Sequence, residues 1–348
     1  MIIPHSRPSI EHEDILAVEK VLSSGMLAEG TLACTLAQRL NNLAGGAGGV
    51  VCGSGTQALV LALRAARICC GKRVALPTYV CPSVLAAIQY VGAEPVFCDI
   101  AEDLLLDQGQ ALHAARTCEA LIVPYVLGRW RDFSGIYGQR AVIIEDFAQF
   151  IGPRDMGFPG LRGDLGIFSL HATKVLCAGE GGVTVASSPE LLSQLHALKR
   201  ICDSSYGFNL TPLSDLQAAL GLAQLDRLAD FTARRARVAA AYQNLIRDLP
   251  GLSWPWAARC LHFRFPILIP AGCNLEELMY CFEIQDVAVR RPVDTLSHRL
   301  RPGLRDEDFP VALSVWGRAL SLPIHPGLSD GELTKVLDAA QNVMSRIN

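Results

Sequence analysis

Short, mostly apolar runs alternate with stretches of helical periodicity in the first half of the chain. Seven runs are predicted to be buried strands: residues 50–52, 74–76, 95–98, 120–123, 141–144, 165–170 and 182–186. Apolar and polar residues recur at helical spacing between several of these runs. Continuous apolar strands that alternate with helices indicate a mainly parallel sheet covered on both faces.

Helices are predicted on both sides of this region. Ser9 precedes acidic residues and apolar positions at helical spacing, which predicts a capped helix that ends near Gly25. Later predicted elements are helices at 213–228, 231–249, 275–284 and after Pro326, and strands at 263–269 and 287–290. We therefore predict a large α/β domain over residues 1–245 and a smaller α+β domain over residues 246–348.

Composition narrows the classes of partner. The 348 residues are 50% hydrophobic and 19% charged, and 31 basic residues face 34 acidic ones. Without a basic excess, neither nucleic acid nor an anionic membrane is expected as a partner. The uncharged stretches 41–63 and 74–93 contain glycine, proline and polar residues, so we expect no membrane span. The N-terminus lacks the pattern of a secretory signal, which predicts a cytoplasmic protein with reduced cysteines and no metal site.

Polar residues that could take part in binding or catalysis follow three of the predicted strands. Ligands of parallel α/β sheets bind at the carboxyl ends of the strands. Residues 53–56 (GSGT) could cradle a phosphate at a helix N-terminus, or could be only a turn. Glu145 and Asp146, with Gln149 close behind them, could supply a site carboxylate or a helix cap. Lys174 lies in an apolar, glycine-rich setting that favours a nucleophilic amine.

The order of these motifs resembles the DegT/DnrJ/EryC1/StrS aminotransferases, the sugar aminotransferase branch of the fold type I enzymes that use pyridoxal 5'-phosphate (PLP). The segments that carry the resemblance are 23–30 (SSGMLAEG), 54–59 (SGTQAL), 92–99 (GAEPVFCD), 144–149 (IEDFAQ), 168–174 (FSLHATK), 179–182 (GEGG), 216–219 (LQAA) and 320–326 (LSLPIHP). They span nearly the whole chain. The resemblance implies a fold type I PLP-dependent transferase, with a seven-stranded type of sheet, that forms a homodimer with shared active sites.

The resemblance also implies roles for individual residues. Lys174 would bond covalently to PLP and then move the proton during transfer. Asp146 would pair with the protonated pyridine nitrogen, and Gln149 would bind the ring hydroxyl. The residues that would hold the phosphate are Gly55, Thr56 and Ser169.

Two departures from the family pattern concern the cofactor ring and the acceptor. Cys81 stands where most relatives place the aromatic residue that stacks on the ring, so either Tyr79 takes that role or the cover is thinner. Asn209 begins a degraded form of an Asn-Tyr-Arg element that reaches the partner subunit's site. The missing base, together with the low charge content, weakens the expectation of a nucleotide-linked sugar.

The expected reaction moves an amino group from an amino acid, L-glutamate or L-glutamine, to a keto sugar or related carbonyl compound by a ping-pong mechanism. Four further residues are candidates for substrate contact: His171, Glu180, Arg290 and His325. Two alternatives remain, a PLP-dependent dehydratase or lyase of the same family, and a PLP-binding regulatory protein without turnover. Lys174 favours transamination, because related dehydratases replace the lysine.

Overall fold

A computed structural model describes residues 2–201, 210–249, 251–255, 257 and 259–345. In this part of the chain the strands, in chain order, are β1 (Gly48–Cys52), β2 (Arg73–Pro77), β3 (Glu94–Cys98), β4 (Ala120–Pro124), β5 (Arg129–Trp130), β6 (Val142–Asp146), β7 (Leu165–Ser169), β8 (Gly182–Ala186), β9 (Arg259–Cys260), β10 (Phe265–Leu268) and β11 (Ala319–Leu322). The helices, also in chain order, are α1 (His12–Ser24), α2 (Thr31–Ala44), α3 (Gly55–Ala65), α4 (Pro82–Tyr90), α5 (Gln108–Thr117), α6 (Pro189–Ile201), α7 (Asp215–Asp226), α8 (Leu228–Arg247), α9 (Leu275–Ile284), α10 (Pro310–Arg318) and α11 (Asp330–Met344).

The central sheet has seven strands in the order β1-β8-β7-β6-β4-β2-β3. All neighbouring strands run parallel except β8, which is antiparallel to both β1 and β7. Every one of these strands was predicted, and the predicted fold class is confirmed. The register places Pro124, Asp146 and Ile167 side by side at the carboxyl ends of β4, β6 and β7. This edge of the sheet is where chemistry was expected.

Two helix termini depend on residues that the sequence pattern did not identify. The N-cap of α1 is Glu11 rather than Ser9, and the Glu11 backbone N–H donates to the Asp14 carboxylate at 2.8 Å. The start of α2 is held by Asp215, which accepts bonds of 2.9 Å from the N–H groups of both Gly30 and Ala33. Because a cap satisfies N–H groups that have no intrahelical acceptor, it fixes where a helix begins.

Buried apolar side chains form two clusters. The larger one surrounds the seven-stranded sheet, and the smaller one joins α8, β10, β11, α9 and α11 to Ile3 near the N-terminus. Residues 287–290 do not form the predicted strand; Val287 and Arg290 make single bridges to Ile3 and Ser321. The division into domains at residue 245 stays a prediction.

No helix within the described residues is long and apolar enough to cross a membrane. The eleven cysteines that the structure describes are all free thiols.

Candidate active site

A cavity of about 320 Å³ opens at the carboxyl ends of the parallel strands. Its floor includes Pro124, Asp146, Ile167 and Ser169, which lie at or near the ends of β4, β6 and β7, and the first turn of α3 forms one wall. The volume lies in the range of small-molecule sites, about 300–1,000 Å³.

The N-terminus of α3 forms a cradle without protruding side chains. Ser54 caps the helix, and its hydroxyl accepts a bond of 3.2 Å from the Gln57 backbone N–H. A Cβ atom at Gly55 would lie 2.8 Å from the Cβ of Ser169, and one at Gly182 would lie 2.3 Å from the Ser54 carbonyl oxygen. Glycine is required at both positions for this close approach. The first-turn N–H groups and the helix dipole make the cradle suitable for a phosphate.

Two consecutive carboxylates at the end of β6 face opposite sides of the sheet, as strand geometry requires. Asp146 faces the cavity, is 7% exposed and accepts a bond of 2.9 Å from the Ala148 N–H. Burial raises the pKa of Asp146, and Lys174 opposes that shift. Glu145 is fully buried and accepts bonds from the Tyr125 hydroxyl (2.5 Å) and the Gly163 N–H (2.8 Å). Only Asp146 can meet a ligand in the cavity.

Lys174 lies in the loop between β7 and β8 and is half-buried. Burial lowers the pKa of its ammonium group, and Asp146 partly offsets this effect. Its Nζ atom lies 5.3 Å from the centroid of the Phe263 ring. The loop turns at Gly179, whose φ of 77° is in the left-handed region. At a given pH, a lysine with a lowered pKa has a larger fraction of the neutral amine that nucleophilic and base chemistry requires.

Gln149 lines the cavity in a fixed orientation. Its Oε1 atom accepts a bond of 2.7 Å from the backbone N–H of Leu127. Leu127 has a φ of 62°, and Gly128 follows with a φ of 78°, so this turn aims the Leu127 N–H at the amide. Since the oxygen of Gln149 is engaged, its NH₂ group is the part left to donate toward the cavity.

A sequence profile of the DegT/DnrJ/EryC1/StrS aminotransferase family matches residues 8–341. The chain belongs to this family. It is therefore a PLP-dependent aminotransferase, which confirms the resemblance found in the sequence.

Relatives and solved structures of the family match along almost the full chain. The spore coat polysaccharide biosynthesis protein SpsC of Bacillus subtilis (strain 168) is 29% identical over 378 aligned positions, which cover 98% of this chain and 97% of SpsC. The PLP form of Spr1654 from Streptococcus pneumoniae, provisionally described as a sugar aminotransferase, has a TM-score of 0.89 at 22% identity and full coverage of both chains. DesI, solved in the presence of its TDP-sugar product, has a TM-score of 0.87 at 25% identity, covering 99% of this chain and 93% of DesI.

Most of the site residues expected from the sequence line the cavity of this aminotransferase. They are Gly55, Thr56, Cys81, Asp146, Gln149, Ser169, His171, Lys174 and Glu180. Asn209 lies outside the described residues. The roles of these side chains stay predictions.

Tyr79 is not among the residues that line the cavity. It is 1% exposed, burial raises its pKa, and its hydroxyl has no hydrogen-bond partner among the described residues. Val80 and Cys81 line the cavity in its place. Of the two alternatives stated for this position, a stacking role for Tyr79 finds no support in this geometry, because the turn after β2 directs its side chain into the core.

Two of the four candidates for substrate contact also lie away from the cavity. Arg290 is exposed and lines a separate groove beside α9. His325 is 1% exposed, and its Nε2 atom lies 3.3 Å from the Pro4 carbonyl oxygen. Burial lowers the pKa of His325 to about 4, with Arg7 and Arg235 adding to the effect. Neither residue reaches the cavity that holds Lys174.

The other two candidates lie together at the edge of the cavity. His171 Nε2 is 3.5 Å from Glu180 Oε1, and His171 Nδ1 is 2.9 Å from the Thr173 hydroxyl. Both side chains are partly exposed, so they can contact a substrate that enters from solvent.

Several residues of the site carry no prediction from the sequence. Tyr125, Val126 and Ser83 line the cavity, and Phe263 contacts Lys174. Tyr125 and Val126 directly follow β4, so the rule that ligands bind at strand ends could have found them. Phe263 comes from a distant part of the chain, and no local pattern indicates it.

Proposed function

We propose that the chain transfers an amino group from L-glutamate or L-glutamine to a keto sugar or related carbonyl acceptor in two half-reactions. The observation that carries the proposal is the presence of Lys174 and Asp146 in one cavity whose far end is the N-terminus of α3. Membership of an aminotransferase family supports the reaction class.

PLP fits the donor set of this cavity. The cradle at Gly55 would hold the phosphate, with the Ser169 hydroxyl beside it. Asp146 would accept a hydrogen bond from the protonated ring nitrogen, and the NH₂ group of Gln149 would donate a hydrogen bond to the ring hydroxyl. Lys174 would supply the amine that bonds to the aldehyde. When bound, PLP stabilises negative charge on the carbon that carries the amino group.

Lys174 would act as the base and acid of the reaction. Because burial lowers its pKa, a larger share of the side chain is the neutral amine that can take a proton from the substrate carbon. The resulting ammonium would return the proton within the same cavity. Asp146, as a carboxylate, would hold the positive charge on the ring nitrogen through this step. His171 and Glu180 would contact the substrate at the edge of the cavity.

A sugar or sugar-like acceptor is favoured by the relatives. SpsC takes part in spore coat polysaccharide biosynthesis, and DesI was solved with a TDP-sugar product. Lys174 is the only lysine or arginine among the described residues that line the cavity. The diphosphate of a nucleotide-linked sugar would therefore need to bind cationic residues outside the cavity lining. The acceptors to be tested accordingly include both free and nucleotide-linked keto sugars.

The experiment is a donor and acceptor screen with the purified PLP-loaded protein. L-glutamate or L-glutamine alone should convert the visible absorption band of bound PLP to that of the pyridoxamine form, and a keto sugar should then restore it. Lys174→Ala should abolish the conversion, while Lys199→Arg, which changes a lysine outside the cavity, should not. Conversion by no amino acid would reject the proposal. Release of ammonia or water without a donor would favour the lyase alternative.

We also propose that the chain forms a homodimer. Large apolar side chains on and after α1 are exposed in the single chain, including Ile15 at 57%, Leu22 at 56% and Met26 at 74%. Exposed apolar patches of this kind are typical of subunit interfaces. Light scattering coupled to size-exclusion chromatography should give twice the mass of one chain, and the mass of a single chain would reject the homodimer.

A further inference from the structure

The ring of Phe263 lies beside the amine of Lys174, outside the cavity lining. The Nζ atom of Lys174 is 5.3 Å from the centroid of this ring, within the distance of about 6 Å at which an aromatic face attracts a cation. Phe263 is 3% exposed and is not among the residues that line the cavity, whereas Lys174 is half-buried and lines it. The amine of Lys174 therefore has the cavity on one side and an aromatic ring on another.

The backbone at Phe263 is fixed by contacts with distant parts of the chain. The Leu261 N–H donates a bond of 2.7 Å to the Gly128 carbonyl oxygen, next to the pairing of β5 with β9. The buried Arg235 side chain donates a bond of 3.2 Å to the Phe263 carbonyl oxygen. A Cβ atom at Gly128 would lie 3.1 Å from the Phe263 Cβ, so the two segments are in close contact. These contacts determine where the ring lies.

The backbone at Lys174 is fixed as well. Its N–H donates a bond of 2.8 Å to the His171 carbonyl oxygen, and the Ala172 N–H donates a bond of 2.8 Å to the Gly179 carbonyl oxygen. A flexible four-carbon stem separates Nζ from this backbone and can adopt many rotamers. The position of the amine therefore depends on what the end of the side chain contacts.

The charged and titratable groups that act on the Lys174 ammonium come from three other elements. Asp146 at the end of β6 and the Cys81 thiol before α4 raise the pKa of Lys174, while burial and Arg264 before β10 lower it. In the proposed function Asp146 would also pair with the cofactor. Because Phe263 does not line the cavity, its attraction for the ammonium stays available when a cofactor is bound.

We propose that Phe263 is a positioning residue, which holds the amine of Lys174 beside the cavity whenever this amine is not bonded to PLP. This inference rests on the proposed function. In each half-reaction the amine must give up its bond to the cofactor and then move a proton at the substrate carbon. An amine that is held beside the cavity in this interval reacts faster than one that samples many rotamers.

The experiment measures the pKa of Lys174 in protein loaded with pyridoxamine 5'-phosphate, a form of the cofactor that leaves the lysine amine free. Trace labelling with acetic anhydride across a pH series, followed by peptide mass spectrometry, reports the neutral fraction of Lys174. Phe263→Met and Phe263→Leu remove the ring and should lower this pKa by about 0.5, because the ammonium loses its cation–π attraction. Phe263→Tyr keeps the ring and should keep the wild-type pKa. Phe265→Met removes a buried ring of the smaller apolar cluster, and as the matched control it should leave the pKa of Lys174 unchanged.

A double variant separates the effect of the ring from that of a second cation. The guanidinium carbon of Arg264 lies 4.5 Å from the centroid of the Phe263 ring, so loss of the ring would also release Arg264. In an Arg264→Gln background, Phe263→Met should still lower the pKa of Lys174 by about the same amount. A decrease that vanishes in this background would assign the effect to Arg264 and overturn the proposal.

The first half-reaction of the PLP-loaded protein with L-glutamate gives an independent readout. Phe263→Met should slow it by about tenfold, because the amine is no longer held in place. Phe263→Tyr and Phe265→Met should keep rates close to wild type, although Phe265→Met lowers the free energy of unfolding. An unchanged or raised pKa of Lys174 in Phe263→Met, or an equal decrease in Phe265→Met, would overturn the proposal. If no amino acid converts the wild-type protein, the proposed function fails, while the labelling still decides whether Phe263 holds Lys174.

Discussion

Gln149 and Leu127 are joined by a hydrogen bond of 2.7 Å from the backbone N–H of Leu127 to the Oε1 atom of Gln149. The Leu127 backbone is left-handed, with a φ of 62°, a conformation that is costly for leucine. The strained backbone of this turn fixes the orientation of the Gln149 side-chain amide in the cavity. It therefore decides which atom of Gln149 faces the cavity.

Replacing Gln149 by glutamate should weaken cofactor retention. The carboxylate can still accept the Leu127 N–H, but it has no NH₂ group and brings a negative charge toward the ring hydroxyl. We expect the dissociation constant for PLP to rise about tenfold or more, as loss of a hydrogen bond to a charged group predicts. Equilibrium dialysis of the loaded protein measures this constant, and an unchanged value would remove Gln149 from the cofactor site.

Gly55 faces Ser169 across the cradle with no room for a side chain between them. A Cβ at Gly55 would lie 2.8 Å from the Ser169 Cβ and 2.9 Å from its Oγ, so Gly55→Ala should displace one wall. We expect weaker PLP binding, with inorganic phosphate losing its protection of the cofactor-free protein against heat. The double variant Gly55→Ala/Ser169→Gly removes the clash, and it should bind PLP better than Gly55→Ala alone. If Gly55→Ala keeps full affinity, the cradle is assigned wrongly.

Asp146 and Glu145 offer a matched pair for testing the ring carboxylate. Asp146→Asn keeps an oxygen for the Ala148 N–H but loses the charge, so the first half-reaction should slow by about 10²-fold or more while the fold persists. Glu145 faces away from the cavity. Glu145→Gln should therefore lower the free energy of unfolding by about 1–3 kcal/mol and change the half-reaction rate little. Stopped-flow rates together with urea unfolding separate the two effects. Equal slowing by both variants would contradict the assignment.

Because of the buried His325, we expect the folded protein to lose stability in mild acid. Burial lowers its folded-state pKa to about 4, whereas an unfolded histidine titrates near 6.5. Between these pH values the unfolded chain binds a proton that the folded chain does not, so the free energy of unfolding falls as pH drops. The slope is about 1.4 kcal/mol per pH unit in this window. His325→Gln should flatten the dependence of urea-unfolding free energy between pH 6.5 and 4.5, and an unaltered slope would refute the account.

The sequence predicted the central sheet well because its strands are short apolar runs bounded by polar segments. It did not predict α2, whose N-terminus is capped by Asp215, nor α10, whose Val311 and Ala312 N–H groups bond to Asp99 at 2.9 and 2.8 Å. In both cases the capping carboxylate is distant along the chain. Local patterns cannot reveal a helix start that depends on such a contact.

The site shows the same limit. Asp146 and Lys174 were predicted because strand ends and motif order mark them, and both line the cavity. The sequence left open whether Tyr79 or Cys81 faces the site, because the turn after β2 decides which side chain lines the cavity. Phe263 was missed because only the tertiary fold brings the segment before β10 beside the lysine loop. Residues that act through such distant contacts need the structure.

The point at which PLP attaches to the chain tests the role of Lys174 directly. The sequence contains five lysines, and Lys174 is the one that lines the cavity. Borohydride reduction of the PLP-loaded protein, followed by peptide mass spectrometry, should find the cofactor mass on the peptide that contains Lys174 and on no other. Attachment to a different lysine, or no attachment in a protein that shows the visible PLP band, would contradict the assignment of Lys174 as the lysine that bonds to PLP.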